Sequence, residues 1–147
     1  EDYDGAVPSG NSVAALGLLR LGKITDNKEY IKMAEKTLTL FSDNLKNNPQ
    51  TVPYLLQALD YIIHEPRRAV ITGDPESSGA QDLITAAHSI YQPNKVILGV
   101  AGPVEDFAKK LPVGKQSEVY LCTGSACQEP TVNSKKLKEM LTAKTLP

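Results

Sequence analysis

Three short apolar runs, Ala69–Val70–Ile71–Thr72, Val96–Ile97–Leu98–Gly99–Val100 and Val119–Tyr120–Leu121–Cys122, constrain the second half of this chain more than anything else in it. Two segments of helical periodicity separate them, so residues 67–122 read β-α-β-α-β. The middle run, 95–100, has no polar alternate, as expected of a strand covered on both faces, and it is expected at the centre of the sheet. Crossovers of this length are expected to make neighbouring strands parallel, with right-handed connections. The expectation for 66–147 is therefore a small three-stranded parallel α/β unit.

Everything before Pro66 reads as helical. After a turn-rich opening, Ser9 or Asn11 offers a capping oxygen to a first helix reaching about Leu21, in which Val13, Leu16 and Leu19 and then Ala15 and Leu18 leave few polar positions. Tyr30, Ala34, Leu38, Phe41 and Leu45 mark one long amphipathic second helix. Asn47–Asn48–Pro49–Gln50 ends it, and Thr51, with Pro53 in the first turn, is a plausible cap for a third helix lined by Leu55, Leu56, Leu59, Ile62 and Ile63. Helices joined by such short turns stack as antiparallel neighbours, and a first helix apolar nearly all round expects neighbours on more than one side. His64–Glu65–Pro66 breaks the pattern and divides the chain into 1–65 and 66–147. Within the second part, a helix carries Leu83, Ile84, Ala87, Ile90 and Tyr91, and a short one carries Val104, Phe107 and Leu111. Ser134 is expected to cap a last helix through Leu137, Met140 and Leu141.

With 147 residues the chain has the length of one ordinary domain or two small halves. Its 16 Lys and Arg against 17 Asp and Glu give a net charge of -1, which leaves no broad basic field for nucleic acid or anionic lipid. No apolar run approaches the roughly 20 residues needed to cross a bilayer. The start, Glu1–Asp2–Tyr3–Asp4, has neither an initiator Met nor a secretion signal, so the expectation is a cytoplasmic chain that is a piece of something longer.

Few residues suggest chemistry. Cys122 and Cys127 are separated by Thr123–Gly124–Ser125–Ala126, a loop flexible enough to bring the sulfurs together, so they form a candidate redox or disulfide pair. Two thiols in an intracellular chain are more often simply reduced. Zinc would need two further ligands, and the only histidines are His64, read as a helix-end charge, and His88, read as a partly buried structural residue. No metal or cofactor is expected. Residues 72–79 lie where α/β sheets bind ligands, yet they lack a Gly-x-Gly-x-x-Gly pattern and a Walker lysine. Asp74 and Glu76 there would repel phosphate, and turn-making and capping account for the loop.

Several phrases together resemble one family. They are Asp4–Gly5–Ala6, Pro8–Ser9–Gly10–Asn11–Ser12–Val13–Ala14, Leu18–Leu19–Arg20–Leu21, His88–Ser89–Ile90–Tyr91–Gln92–Pro93–Asn94–Lys95–Val96, and Tyr120–Leu121–Cys122 with Cys127 and Pro130. In order and spacing they are similar to the C-terminal region of the spermatogenesis-associated, thioredoxin-domain-containing proteins, also called the YyaL-like family. The resemblance implies a parent with an N-terminal thioredoxin-like domain, a central α/α barrel similar to sugar-epimerase and glycosidase toroids, and a small C-terminal α/β region. Residues 1–65 would then be the last barrel helices, and Ser9 and Asn11 would face a ligand at the barrel mouth. Val7 departs from the acidic residue expected before Pro8, which removes a polar role for that position.

Three readings follow. The chain is a noncatalytic structural or interaction segment whose partner is the remainder of the parent; or one wall of a sugar-epimerase-like barrel enzyme, through Ser9 and Asn11; or a small redox module using Cys122 and Cys127. If the helical part has lost its neighbours, its bare apolar face is expected to form a twofold homodimer through Val13, Leu16 and Leu19.

Overall fold

Ser9 starts the first helix. Its backbone is extended and its hydroxyl accepts the Ser12 amide at 3.2 Å, so α1 (Gly10–Thr25) leaves from a capped end. In the computed structural model, which describes residues 2–143, Ser12, Ala15, Leu16, Leu19 and Gly22 form the buried stripe of α1. Asp26 closes the helix in the left-handed region at φ 55°, and its amide returns to the Gly22 carbonyl. Asn27 then caps α2 (Lys28–Leu40) by accepting the Glu29 amide at 3.0 Å.

The single long second helix expected from the apolar stripe is in fact two. α2 stops before Phe41, and α3 (Ser42–Asn47) follows. Thr37 and Thr39 turn their hydroxyls back onto the Met33 and Glu35 carbonyls, at 3.2 and 2.8 Å, a local competition with the helical ladder just before the break. Phe41 stays buried, so the hydrophobic pattern survives the interruption. A 3-10 turn (Pro49–Thr51) leads into α4 (Pro53–Ile63). Thr51 does not cap it, because its hydroxyl bonds the Asn48 carbonyl; the capping acceptor is Asp4, from the other end of this unit, which takes the Tyr54 amide at 2.7 Å and the Leu55 amide at 3.3 Å. α1 packs against both α2 and α4. Leu16 and Leu19 are therefore 3% and 2% exposed, while Val13 on the opposite side is 47% exposed.

The chain divides into two compact units, Glu1–Glu65 and Pro66–Pro147. The second contains β1 (Arg67–Thr72), α5 (Ser78–Ser89), β2 (Lys95–Leu98), α6 (Asp106–Lys109), β3 (Glu118–Thr123), β4 (Ala126–Cys127) and α7 (Ser134–Thr142). The sheet has four strands in the order β2-β1-β3-β4. β1 and β2 are parallel, pairing Arg67 with Lys95 and Val70 with Leu98, but β1 and β3 are antiparallel, pairing Arg68 with Cys122 and Thr72 with Glu118.

Two expectations are thereby corrected. The sheet is mixed and four-stranded, and its interior positions belong to β1 and β3, while the most apolar run, β2, lies at an edge. The connection 99–117 begins and ends beside the carboxyl end of β1, where Val70 pairs with Leu98 and Thr72 with Glu118, so β3 enters on the far side of β1 in the opposite sense.

One face of the sheet carries the core, where Ala69, Ile71, Val119 and Leu121 meet Leu83, Ala86 and Ala87 of α5 and Leu137 and Leu141 of α7. The helix ends above this core are tied to strand residues. Arg67 donates to the Met140 and Leu141 carbonyls at 2.7 and 2.9 Å, and Lys95 donates to the Ile90 carbonyl at 2.6 Å and to that of Ala87. Each places a cation at the negative end of a helix, α7 for Arg67 and α5 for Lys95. The cap of α7 is Asn133, whose side chain accepts from Lys135 and Lys136 at 2.9 and 3.0 Å, and Ser134 is the first helical residue.

Candidate functional site

Arg68 and Cys122 are direct cross-strand partners, so their side chains share the sheet face opposite the α5 and α7 core. Beyond Cys122, β3 and β4 form a hairpin whose two-residue turn begins with Gly124 at φ 56°, the glycine position of a type II′ turn. Cys122 faces Cys127 across this hairpin, and their sulfurs are joined in a disulfide. The two ends of that bond differ sharply: Cys122 is 0% exposed, whereas Cys127 lies on the surface.

Arg68 organises what surrounds the bond. It is 6% exposed, and Nη1 is paired with the Glu105 carboxylate while Nη2 donates to the Gly124 carbonyl at the hairpin tip. Its guanidinium carbon stands 5.0 Å from the centre of the Phe107 ring, a cation–π placement in a site withdrawn from water. The third donor, Nε, is buried without a hydrogen-bond partner among the described residues. On the same face, Tyr120 donates to Glu118 at 3.1 Å, and burial, helped by that carboxylate, pushes its phenol above the ordinary value.

The loop between β1 and α5 presents a second concavity. A mainly apolar cavity of about 350 Å³ opens at the carboxyl ends of β1 and β2, lined by Ile71, Pro75, Ile84, Ile97 and Val100 among others. Gly73, at φ 92°, is required there because a Cβ would stand 2.8 Å from Ser117 Oγ. The hydroxyl groups are already engaged: Ser77 Oγ accepts the Ala80 amide at 3.2 Å, bonds the Asp74 carbonyl at 2.7 Å and meets Ser117 Oγ at 2.8 Å. Asp74 Oδ1 accepts the Glu76 amide at 3.0 Å. Capping and turn formation thus engage Asp74 and Ser77.

The structure separates the two candidate barrel-mouth contacts. Ser9 is buried in a capping cluster, with its amide donating to Asp4 Oδ1 at 2.8 Å and its hydroxyl bonded to Ser12 Oγ at 2.9 Å, whereas Asn11 lies on the exposed first turn of α1. Burial alone would raise the Asp4 carboxyl, but hydrogen bonds from Ser9, Ser12 and Tyr54 together hold it below its ordinary 3.8. His88 is exposed, contrary to its reading as a partly buried residue, and His64 at the end of α4 has Nδ1 2.9 Å from Asp60. Among the described residues, no three His, Cys, Asp or Glu are grouped to hold a metal ion, and no helix is long and apolar enough to cross a membrane.

Two residues that matter here were not singled out in the sequence. Arg68 follows Arg67 at the head of an otherwise apolar strand, and a charge inside a buried strand must have partners; that was the available signal. Asp4 gave none, because its partners Tyr54 and Leu55 lie about 50 residues away.

Fold and site together define a two-part protein: a helical unit, and a mixed α/β unit whose terminal hairpin is closed by a disulfide and held by a buried arginine. No family model matches the chain, and no solved structure matches it. Among curated proteins it is 34% identical to spermatogenesis-associated protein 20 of Rattus norvegicus and 32% identical to that of Homo sapiens, in each case over 96% of this chain and 19% of the relative. An uncharacterised protein of Caenorhabditis elegans is 28% identical over 95% of this chain and 20% of that protein. The chain thus spans about a fifth of these relatives and is similar, over nearly all of its own length, to a C-terminal region of spermatogenesis-associated protein 20.

Proposed function

We propose that this chain is a noncatalytic structural and interaction segment of a larger thioredoxin-domain-containing protein, its helical unit supplying the last helices of an α/α barrel whose other helices lie in the rest of that protein. The observation that carries this reading is the outer side of α1. Gly10, Ala14, Gly17 and Leu21 recur at spacings of four, three and four, which puts them on one face, and Ala14 and Leu21 are exposed. A Cβ added at Gly10 or Gly17 would meet nothing within 4 Å. Small residues in such a row let a second helix approach closely, and the relatives are about five times longer, so they contain chain that could supply it. The engagement of Ser9 in capping, and the exposure of Asn11 away from it, favour this reading over a ligand-binding wall.

The test uses a sign reversal. In the chain alone, Gly17→Gln should raise stability by about 0.5–1 kcal/mol, since Gly is a poor helix former and the added side chain meets open space. In a full-length family member, the same change at the matching position should lower the melting temperature by wedging the two helices apart. Stabilisation of equal size in both proteins would refute the docking.

A further inference from the structure

We propose that Cys122–Cys127 is a thiol–disulfide exchange site, in which Cys127 is the sulfur attacked by an external thiolate and Cys122 is the sulfur that leaves, as a thiolate stabilised by Arg68. Thiol–disulfide exchange requires the nucleophile to approach one sulfur in line with the bond. Cys122 is fully buried and cannot be approached, while Cys127 lies exposed on a two-residue strand at the sheet edge. Access therefore selects the sulfur attacked.

Arg68 decides how well the other sulfur leaves. It stands opposite Cys122 on the same face, fixed by Glu105, Phe107 and the Gly124 carbonyl. Covalent geometry puts the Nε–H on the same edge of the guanidinium as one N–H of Nη2, the nitrogen that donates to the Gly124 carbonyl of the hairpin. The Nε–H is buried without a partner among the described residues. A neutral disulfide sulfur is a poor acceptor, whereas a thiolate is a strong one, so reduction gives the orphaned donor an anion to bind. A cation beside a buried thiol lowers its pKa and improves it as a leaving group.

The reductant is a thiol of the dithiol or glutathione class. Its thiolate attacks Cys127 Sγ; the new sulfur–sulfur bond joins reductant to Cys127 as the Cys122–Cys127 bond breaks, and the electron pair of that bond stays on Cys122. A second thiolate of the reductant then attacks the mixed disulfide and releases Cys127. The reductant is oxidised to its disulfide by two electrons, and its two protons end on the protein thiols or in solvent. β4 is held to the sheet through β3 alone, by the pairs Cys122–Cys127 and Thr123–Ala126, so opening the bond loosens the hairpin.

The experiment needs only the native chain. It is exposed briefly to reduced glutathione, quenched in acid, alkylated with iodoacetamide after unfolding, and digested for mass spectrometry. Glutathione should be found on Cys127 and the alkyl group on Cys122. Glutathione on Cys122, or a bond that thiols cannot open until the chain is denatured, would overturn the proposal. Arg68→Met should slow reduction by about threefold or more, as a poorer leaving thiolate requires, and Arg68→Lys should recover part of the loss. If Arg68→Met does not fold by circular dichroism, Glu105→Gln provides the opposite sign: removing the compensating carboxylate should speed reduction. An unchanged rate in a folded variant would refute the part assigned to the arginine.

Discussion

Asp4 shows how one side chain can join distant parts of the helical unit. One oxygen accepts the Ser9 amide at the start of α1, and the other accepts the Tyr54 and Leu55 amides at the start of α4. A carboxylate shared by two helix N-termini satisfies orphan donors at both and complements both dipoles. Asp4→Asn keeps the size but removes the charge, and should cost about 1–2 kcal/mol in urea denaturation. The pH dependence follows from the depressed carboxyl. The unfolded chain binds the proton more readily, so this stabilisation is fully present above the ordinary value of 3.8 and is lost as pH falls through the lower folded value. Subtracting the Asn variant from the native chain should isolate that loss, and a difference independent of pH down to 2.5 would contradict the assignment. Of these contacts the sequence showed only the local half, the Ser9 cap, because capping is a short-range pattern. The partners of Arg67 and Arg68 were hidden for a related reason: one binds the end of α7 and the other an internal carboxylate, in contacts 37 to 76 residues apart.

Among the elements, those set by local periodicity were legible and those set by pairing were not. The runs at 67–72, 95–98 and 118–123 are strands, and α1, α5 and α7 lie where their apolar spacing indicates. Strand order depends on how the connections run, and nothing local in 99–117 announces on which side of β1 the chain returns. β2 reads as central because its apolar run, Val96–Ile97–Leu98, has no polar alternate, but an apolar side chain on each face does not require a ladder on both edges. The Phe41 break was hidden because the stripe continues on either side of it. Close approach of helices is a further property that only the structure exposes. At Gly22 a Cβ would lie 2.6 Å from Ile31 Cγ1 and 3.2 Å from the Asn27 carbonyl oxygen, so α1 and α2 meet there over bare backbone. Gly22→Ala should destabilise by about 1–3 kcal/mol despite the better helix propensity of alanine, because overpacking outweighs a gain of about 1 kcal/mol. Thermal denaturation beside Gly17→Ala, at a position with open space, makes the comparison; equal stabilisation by both would show that the contact yields freely.

At the scale of the whole molecule, association turns on how much of the helical unit is left uncovered. The face foreseen as a dimer contact joined Val13, Leu16 and Leu19, but Leu16 and Leu19 are only 3% and 2% exposed, enclosed by the chain's own helices. What remains on α1 is Val13 at 47% and Leu21 at 49%, with glycine and alanine between. A strip one helix wide and about 24 Å long offers on the order of 250 Å² per partner, against about 800 Å² per partner in a typical stable complex. Two free chains must also overcome roughly 4–15 kcal/mol of lost translational and rotational freedom, which so narrow a strip does not repay. Within a single longer polypeptide that cost is largely absent, because the two surfaces are tethered at high effective concentration. The same strip can therefore hold two parts of one chain together and fail to hold two copies. The isolated chain should sediment as a monomer at micromolar concentration, with Leu21→Lys leaving both sedimentation and stability unchanged within about 0.5 kcal/mol. A dimer dispersed by Leu21→Lys would show that α1 prefers a second copy of itself, and would remove the reason for seating it against the remainder of a larger protein.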